Sequence, residues 1–110
     1  GGSSAAKKLL ALPELPSALF CSNDMMALGA IKELQNSGIR IPEDISIIGF
    51  NNIWATAYCT PSLTTIGFDY YAMGKKAFEL LNESIENEDT TSTQNLIPPE
   101  LIIRRSTAKI

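Results

Sequence analysis

Histidine is absent from the 110 residues. With it go the Ser-His-Asp and Cys-His nucleophile pairings and the commonest transition-metal ligand. Cysteine is nearly absent. Cys21 and Cys59 make no disulfide framework, and two free thiols suit a reduced, cytoplasmic setting. No apolar run approaches the roughly 20 residues that cross a bilayer, and no secretory signal is visible. Positive charge is sparse: the formal net charge is -3, and the largest basic cluster is the Arg104-Arg105 pair, a poor grip for phosphates. The G-x-G-x-x-G, P-loop, CxxC and G-x-S-x-G patterns are missing, as are internal repeats, so the usual vocabulary of catalysis is not here.

What remains is the composition of a folded domain or part of one, with 45% apolar and 19% charged residues. The chain is organised around Ser17–Gly38. Ala18-Leu19-Phe20-Cys21 has the length and character of a strand buried on both faces, with Cys21 as a small hydrophobe. Ser22, Asn23 and Asp24 follow where a parallel strand would end. A helix then carries Ala27, Ala30, Ile31 and Leu34 on one buried face, and Gly38 stops it. This is half of a βαβ unit, and ligands of open α/β sheets bind at the carboxyl ends of the strands.

Around this unit, Ser3 or Ser4 is expected to cap a short helix that Pro13 and Pro16 end. Gly1-Gly2 is either natural or an added leader. A chain that opens with a helix feeding a strand implies that something upstream is missing. Ile39–Asp44 is an extended link with an acidic turn. Ile45–Phe50 reads as a central parallel strand in which Gly49 lets a ligand or a neighbouring backbone come close. One helical turn carries Trp54, and Leu63–Ile66 is a third strand. The longest helix runs from about Tyr70 to Asn87, capped by Asp69, with a buried stripe of Met73, Ala77, Leu80, Leu81 and Ser84. A polar loop spans Glu86–Gln94. Leu96–Arg104, interrupted by Pro98-Pro99, is an edge or crossover strand.

Three segments thus bring polar or aromatic groups to carboxyl ends of strands: Ser22-Asn23-Asp24, Asn51-Asn52, and Gly67-Phe68 with Tyr70. Amides and a carboxylate offer directional donors and acceptors, and aromatic faces suit sugar or base rings. Each residue also has a plain structural reading: Asn23 or Asp24 as a helix cap, Asn51-Asn52 as a turn, Phe68 as core. On the helix after Asp24, Met25 points away from the buried stripe and Leu28 lies on its margin, which suggests a partner surface. Lys75-Lys76 reads as a solvated face.

Several of these stretches resemble the lactose-repressor/galactose-repressor (LacI/GalR) transcription regulators. They are Asn23-Asp24-Met25-Met26-Ala27-Leu28-Gly29-Ala30, the run Gly38–Phe50, Pro61-Ser62-Leu63-Thr64-Thr65-Ile66, Met73-Gly74 with Ala77, and Leu101–Thr107. The resemblance covers Gly2 to the end with the motifs in order. It implies a Rossmann-like three-layer sandwich with a mainly parallel sheet, like a type I periplasmic binding protein. The chain would be the C-terminal portion of a two-lobed effector-binding and dimerisation domain, an incomplete lobe whose 70–87 helix belongs with the other, absent lobe. The resemblance places effector contacts on Asn23, Asp24, Asn51, Phe68 and Tyr70, and homodimer contacts on Leu28, Tyr58 and Cys59. It gives DNA binding to an absent N-terminal helix-turn-helix, and implies no cofactor, no metal, no membrane and no enzymatic activity. Asn51 stands where the family commonly has an aspartate for sugar hydroxyls, and Phe68 replaces a more usual polar residue. The effector class is therefore a sugar or a nucleobase-like molecule. The alternative is a periplasmic or lipoprotein sugar-binding receptor of a transporter, which a signal peptide upstream would mark. A third reading is an α/β enzyme, which turnover of a sugar or nucleoside abolished by Asp24→Asn would mark.

Overall fold

A computed structural model of the chain describes residues 1–86 and 94–109. Its elements follow in the order α1 (Gly2–Leu10), β1 (Ala18–Phe20), α2 (Asp24–Asn36), β2 (Ser46–Phe50), a 3-10 turn (Trp54–Ala57), β3 (Thr64–Gly67), α3 (Tyr70–Glu86) and β4 (Glu100–Ile102). The strands form one sheet in the order β1-β2-β3-β4, and β2 pairs in parallel with both β1 and β3. The parallel α/β class expected from the strand–turn–helix pattern holds. Most of the predicted loop Glu86–Gln94, and the expected helix end at Asn87, lie outside the described residues. Among the described residues no helix is long and apolar enough to cross a membrane.

The chain divides into two compact units, Gly1–Gly67 with Leu101–Ile110, and Phe68–Glu100. The core of the first unit is the stripe read from the sequence. Ala27, Ala30, Ile31 and Leu34 of α2 are buried with Ile45, Ile47 and Leu63. Burying each fully enclosed aliphatic side chain contributes roughly 1.5–3 kcal/mol. Asn23 caps α2, its side chain accepting from Met26 N at 2.9 Å, and Gly38 follows the helix at φ 81°.

Two expectations are corrected here. β1 is not buried on both faces: it is the edge strand, Leu19 packs on the core, and Ala18 and Phe20 on the other face are exposed. Neither Ser3 nor Ser4 caps α1, which starts after Gly1 without a side-chain cap. The Ser3 hydroxyl instead donates to Glu33 Oε2 of α2 at 2.6 Å. Gly2 is buried where α1 meets the backbone of Met26, and a Cβ there would overlap it. A Cβ at Gly49 would first meet the side chains of Asp24 and Leu63.

The C-terminal tail bridges β2 and β3 through Ser106. Ser106 is fully buried. Its hydroxyl donates to Ile47 O and accepts from Thr64 N at 2.8 Å, while its own carbonyl accepts from Ile47 N at 2.8 Å. One small side chain thereby satisfies backbone groups of two strands, which buried polar groups require.

The acidic turn of the 39–44 link is closed by charge. Asp44 accepts from Arg40 N at 2.8 Å and Arg40 Nε at 2.9 Å, and these bonds lower its pKa to about 2 from the ordinary 3.8. A depressed carboxylate contributes its stability above the ordinary value and loses it as pH falls through the folded one. The Asp44 carboxyl carbon, followed by NMR, is expected to titrate near pH 2. Arg40→Ala, which removes the guanidinium but keeps the backbone N–H, is expected to raise the midpoint part of the way toward the ordinary carboxylate range. A midpoint unchanged by Arg40→Ala would show that Arg40 does not hold the carboxylate.

In the second unit, Asp69 caps α3 as expected, accepting from Ala72 N at 2.8 Å. The predicted buried stripe does not form, since no residue of α3 is buried. Met73, Ala77 and Leu80 line a shallow cavity with Asn95 and Ile97, and Phe78, Leu81 and Ile85 are exposed. Helical periodicity gives the apolar face but not a layer to cover it.

Candidate functional site

The site grows from the polar residues that end β1 and β2, two parallel neighbours. Asn23 and Asp24 start α2 directly after β1. Asn23 has extended backbone, and its side-chain oxygen serves the helix as a cap. Asp24, one residue on, turns inward and is 1% exposed. Its Oδ1 accepts from Thr65 Oγ1 at 2.6 Å, and its Oδ2 accepts from Ile53 N at 2.8 Å. A buried carboxylate needs such donors, because desolvation without them costs several kcal/mol. Asp24 therefore ties α2 to β3 and to the segment after β2.

That segment is a turn of two left-handed residues. Asn51 has φ 103° and Asn52 φ 50°, a region that Asn enters more readily than most side chains. Asn51 N donates to Ile66 O at 2.7 Å. The Asn52 side-chain oxygen accepts from Arg104 Nη2 at 2.8 Å. Arg104 Nη1 also donates to Thr56 Oγ1 and to Leu63 O, each at 2.8 Å. The sequence reads the Arg104-Arg105 pair as a weak basic cluster and as part of the family-like Leu101–Thr107 run, not as a site residue. The signal that could have singled out Arg104 is a cation closing the apolar run Leu101-Ile102-Ile103, where an arginine needs internal acceptors. Thr65 was likewise missed, because a threonine in a β-branched strand reads as ordinary sheet sequence.

Cys21, on the core side of Asp24, is buried, and burial first and the Asp24 charge second push its thiol pKa up. Both influences disfavour the thiolate that nucleophilic chemistry needs. Among the described residues, no three of Cys, Asp and Glu gather as a metal cage.

The structure thus brings Asn23, Asp24 and Asn51 together at one end of the first unit. Phe68 and Tyr70 belong to the second unit, where their rings lie 6.0 Å apart and tilted by 57° at the start of α3. Of the expected dimer contacts, Leu28 is half-buried and Tyr58 is 80% exposed beside the equally exposed Trp54, with ring centroids 6.2 Å apart. Cys59 is half-buried, its Sγ 3.3 Å from Thr56 O and 3.1 Å from Pro61 O. A separate cleft of about 570 Å³ is lined by Pro42, Cys59, Thr60, Pro61, Ser62 and Arg105, and holds none of the expected effector residues.

Residues 1–107 match the model of a periplasmic binding protein-like domain. The chain is 46% identical over 106 residues to the HTH-type transcriptional repressor CytR of Escherichia coli K12, covering 96% of this chain and 31% of that protein. It spans about a third of the length of the curated relatives it matches. Among solved structures, a LacI family transcriptional regulator from Enterococcus faecium with bound ribose superposes with a TM-score of 0.88 at 33% identity, covering 100% of this chain and 40% of that one. The lac repressor dimer bound to operator and the anti-inducer ONPF superposes with a TM-score of 0.89 at 29% identity, covering 98% and 37%.

Proposed function

We propose a function for this chain from one premise: it belongs to the periplasmic binding protein-like domain family, among the LacI/GalR transcription regulators. The chain is the C-terminal part of the effector-binding and dimerisation domain of such a regulator, working in the cytoplasm. It binds a small polar ligand, a sugar or a nucleobase-like molecule, and its role is regulatory rather than enzymatic. Effector contacts are assigned to Asn23 and Asn51 of the first unit and to Phe68 and Tyr70 of the second; Asp24, expected among them, is buried with both oxygens engaged by Thr65 and Ile53 and supports the turn from behind instead. Leu28, Tyr58 and Cys59 are assigned to the contact with a second copy. Helix α3 packs in the other lobe of the domain, outside these 110 residues, consistent with its lack of buried residues. DNA is held by a helix-turn-helix that precedes the chain. A ligand that favours one arrangement of the domain shifts its population and, by linkage, its affinity for DNA.

The observation that carries this reading is the convergence of Asn23, Asp24 and Asn51 at the carboxyl ends of two adjacent parallel strands. That edge is where open α/β sheets bind small molecules. The ribose bound to the Enterococcus faecium structural neighbour supports the sugar class. Asn51 and the Phe68–Tyr70 ring pair, which favour directional amide bonds and stacking, keep a nucleobase-like ligand beside it. The test is the reading frame upstream of Gly1. A helix-turn-helix is expected there, and a cleavable secretory signal in its place would make the protein a transport receptor and overturn the proposal.

A further inference from the structure

We infer that Arg104 is the positioning residue of the candidate site, holding the left-handed Asn51–Asn52 turn in place from the C-terminal tail. The inference deepens the effector reading and rests on it for its functional meaning. Two successive non-glycine residues at positive φ are sparsely populated and persist only where the surroundings impose them. Asn51 is fixed through its own N–H on Ile66 O. Among the described residues, the Asn52 N–H makes one long contact, to Thr65 Oγ1 at 3.4 Å, so its side chain carries the restraint.

Arg104 supplies that restraint from outside the turn. Its guanidinium reaches three acceptors on three segments: Asn52 Oδ1 in the turn, Thr56 Oγ1 in the 3-10 turn, and Leu63 O before β3. Its backbone N–H donates to Thr64 Oγ1 at 2.9 Å, which anchors the arginine itself to β3. A planar fork with diverging charged donors can hold three segments in one geometry, whereas a lysine ammonium offers one point. On the other flank, Asp24 accepts from Ile53 N, so the segment 52–53 is gripped from both sides. Where Asn51 meets a ligand is then set by a residue more than fifty positions later in the chain.

The test needs no ligand, so its outcome is separable from that of the effector reading. Amide exchange and backbone coupling constants are measured at Asn51 and Asn52 in the wild-type chain, Arg104→Met and Arg104→Lys, with the Cys21 amide, bonded to Ile48 O, as internal reference. Arg104→Met is expected to raise the exchange of Asn51 relative to Cys21 about tenfold or more, as loss of a charged hydrogen bond implies, and to move the couplings of Asn51 and Asn52 off their left-handed values. Arg104→Lys does not rescue either readout. Ser106→Ala, which weakens the same tail without touching the turn, lowers overall stability and leaves the ratio and couplings at wild type. If Arg104→Met does not fold, Asn52→Gly, which tolerates the positive φ but removes the acceptor, carries the same expectation for Asn51. Couplings and exchange ratio that stay at wild type while only melting falls, or full rescue by lysine, overturn the inference.

Discussion

Asp24→Ala lowers the stability of the chain by about 3–5 kcal/mol, a large share of the roughly 5–15 kcal/mol that holds a domain folded. Two hydrogen bonds to a charged acceptor disappear, and the Thr65 hydroxyl and Ile53 N–H lose their partner in a site that is 1% exposed. Asp24→Asn recovers part of the loss. The amide keeps the shape and one oxygen, but its NH2 group now faces one of two donors, and only the Thr65 hydroxyl can rotate to accept. Urea unfolding measures both variants: the midpoint falls in the order wild type, Asp24→Asn, Asp24→Ala, with an unchanged slope. Equal midpoints for wild type and Asp24→Ala would show that the carboxylate is not the tie between α2, β3 and the 51–53 segment.

The second large effect sits on the same carboxylate from the β2 side. A Cβ at Gly49 would overlap Asp24 Oδ1 and come within 2.9 Å of Leu63 Cδ2. Gly49→Ala therefore forces either the Asp24 bonds or the packing of Leu63 to yield. Overpacking of this kind costs about 1–3 kcal/mol, with the weakened Asp24 bonds added. Because both changes act on one contact, they are not additive: Asp24→Ala with Gly49→Ala costs less than the sum of the two single changes. Additive losses would place the strain of Gly49→Ala on Leu63 alone.

The stretches with a strong period were legible in the sequence. Ala27, Ala30, Ile31 and Leu34 repeat at helical spacing, and their face is buried as read. The β-branched run ending at Phe50 forms the strand with a neighbour on both sides. Burial of Ala18–Phe20 was misread because a short apolar run does not reveal whether its strand lies at the centre or the edge of a sheet. The α3 stripe was misread for a related reason, since amphipathicity shows which face seeks cover and not whether the cover lies in the same chain.

The candidate site was half legible. Asn23, Asp24 and Asn51 were found from chemistry at strand ends, together with Asn23's alternative role as a cap, which it performs. The difference between Asn23 and its neighbour was hidden. Asp24 is sealed in with Thr65 and Ile53 from distant segments, and Arg104 reaches Asn52 across nearly half the chain. Such contacts depend on tertiary placement that no local period encodes.

The most direct measurement is a titration of the isotope-labelled chain with D-ribose and, separately, with adenosine, followed by the amide shifts. The account predicts saturable shifts at Asn23 and Asn51, and at Phe68 and Tyr70 of the second unit, with one of the two ligands. Shifts that saturate instead around the Pro42–Arg105 cleft, or no saturable shift with either ligand, would contradict it.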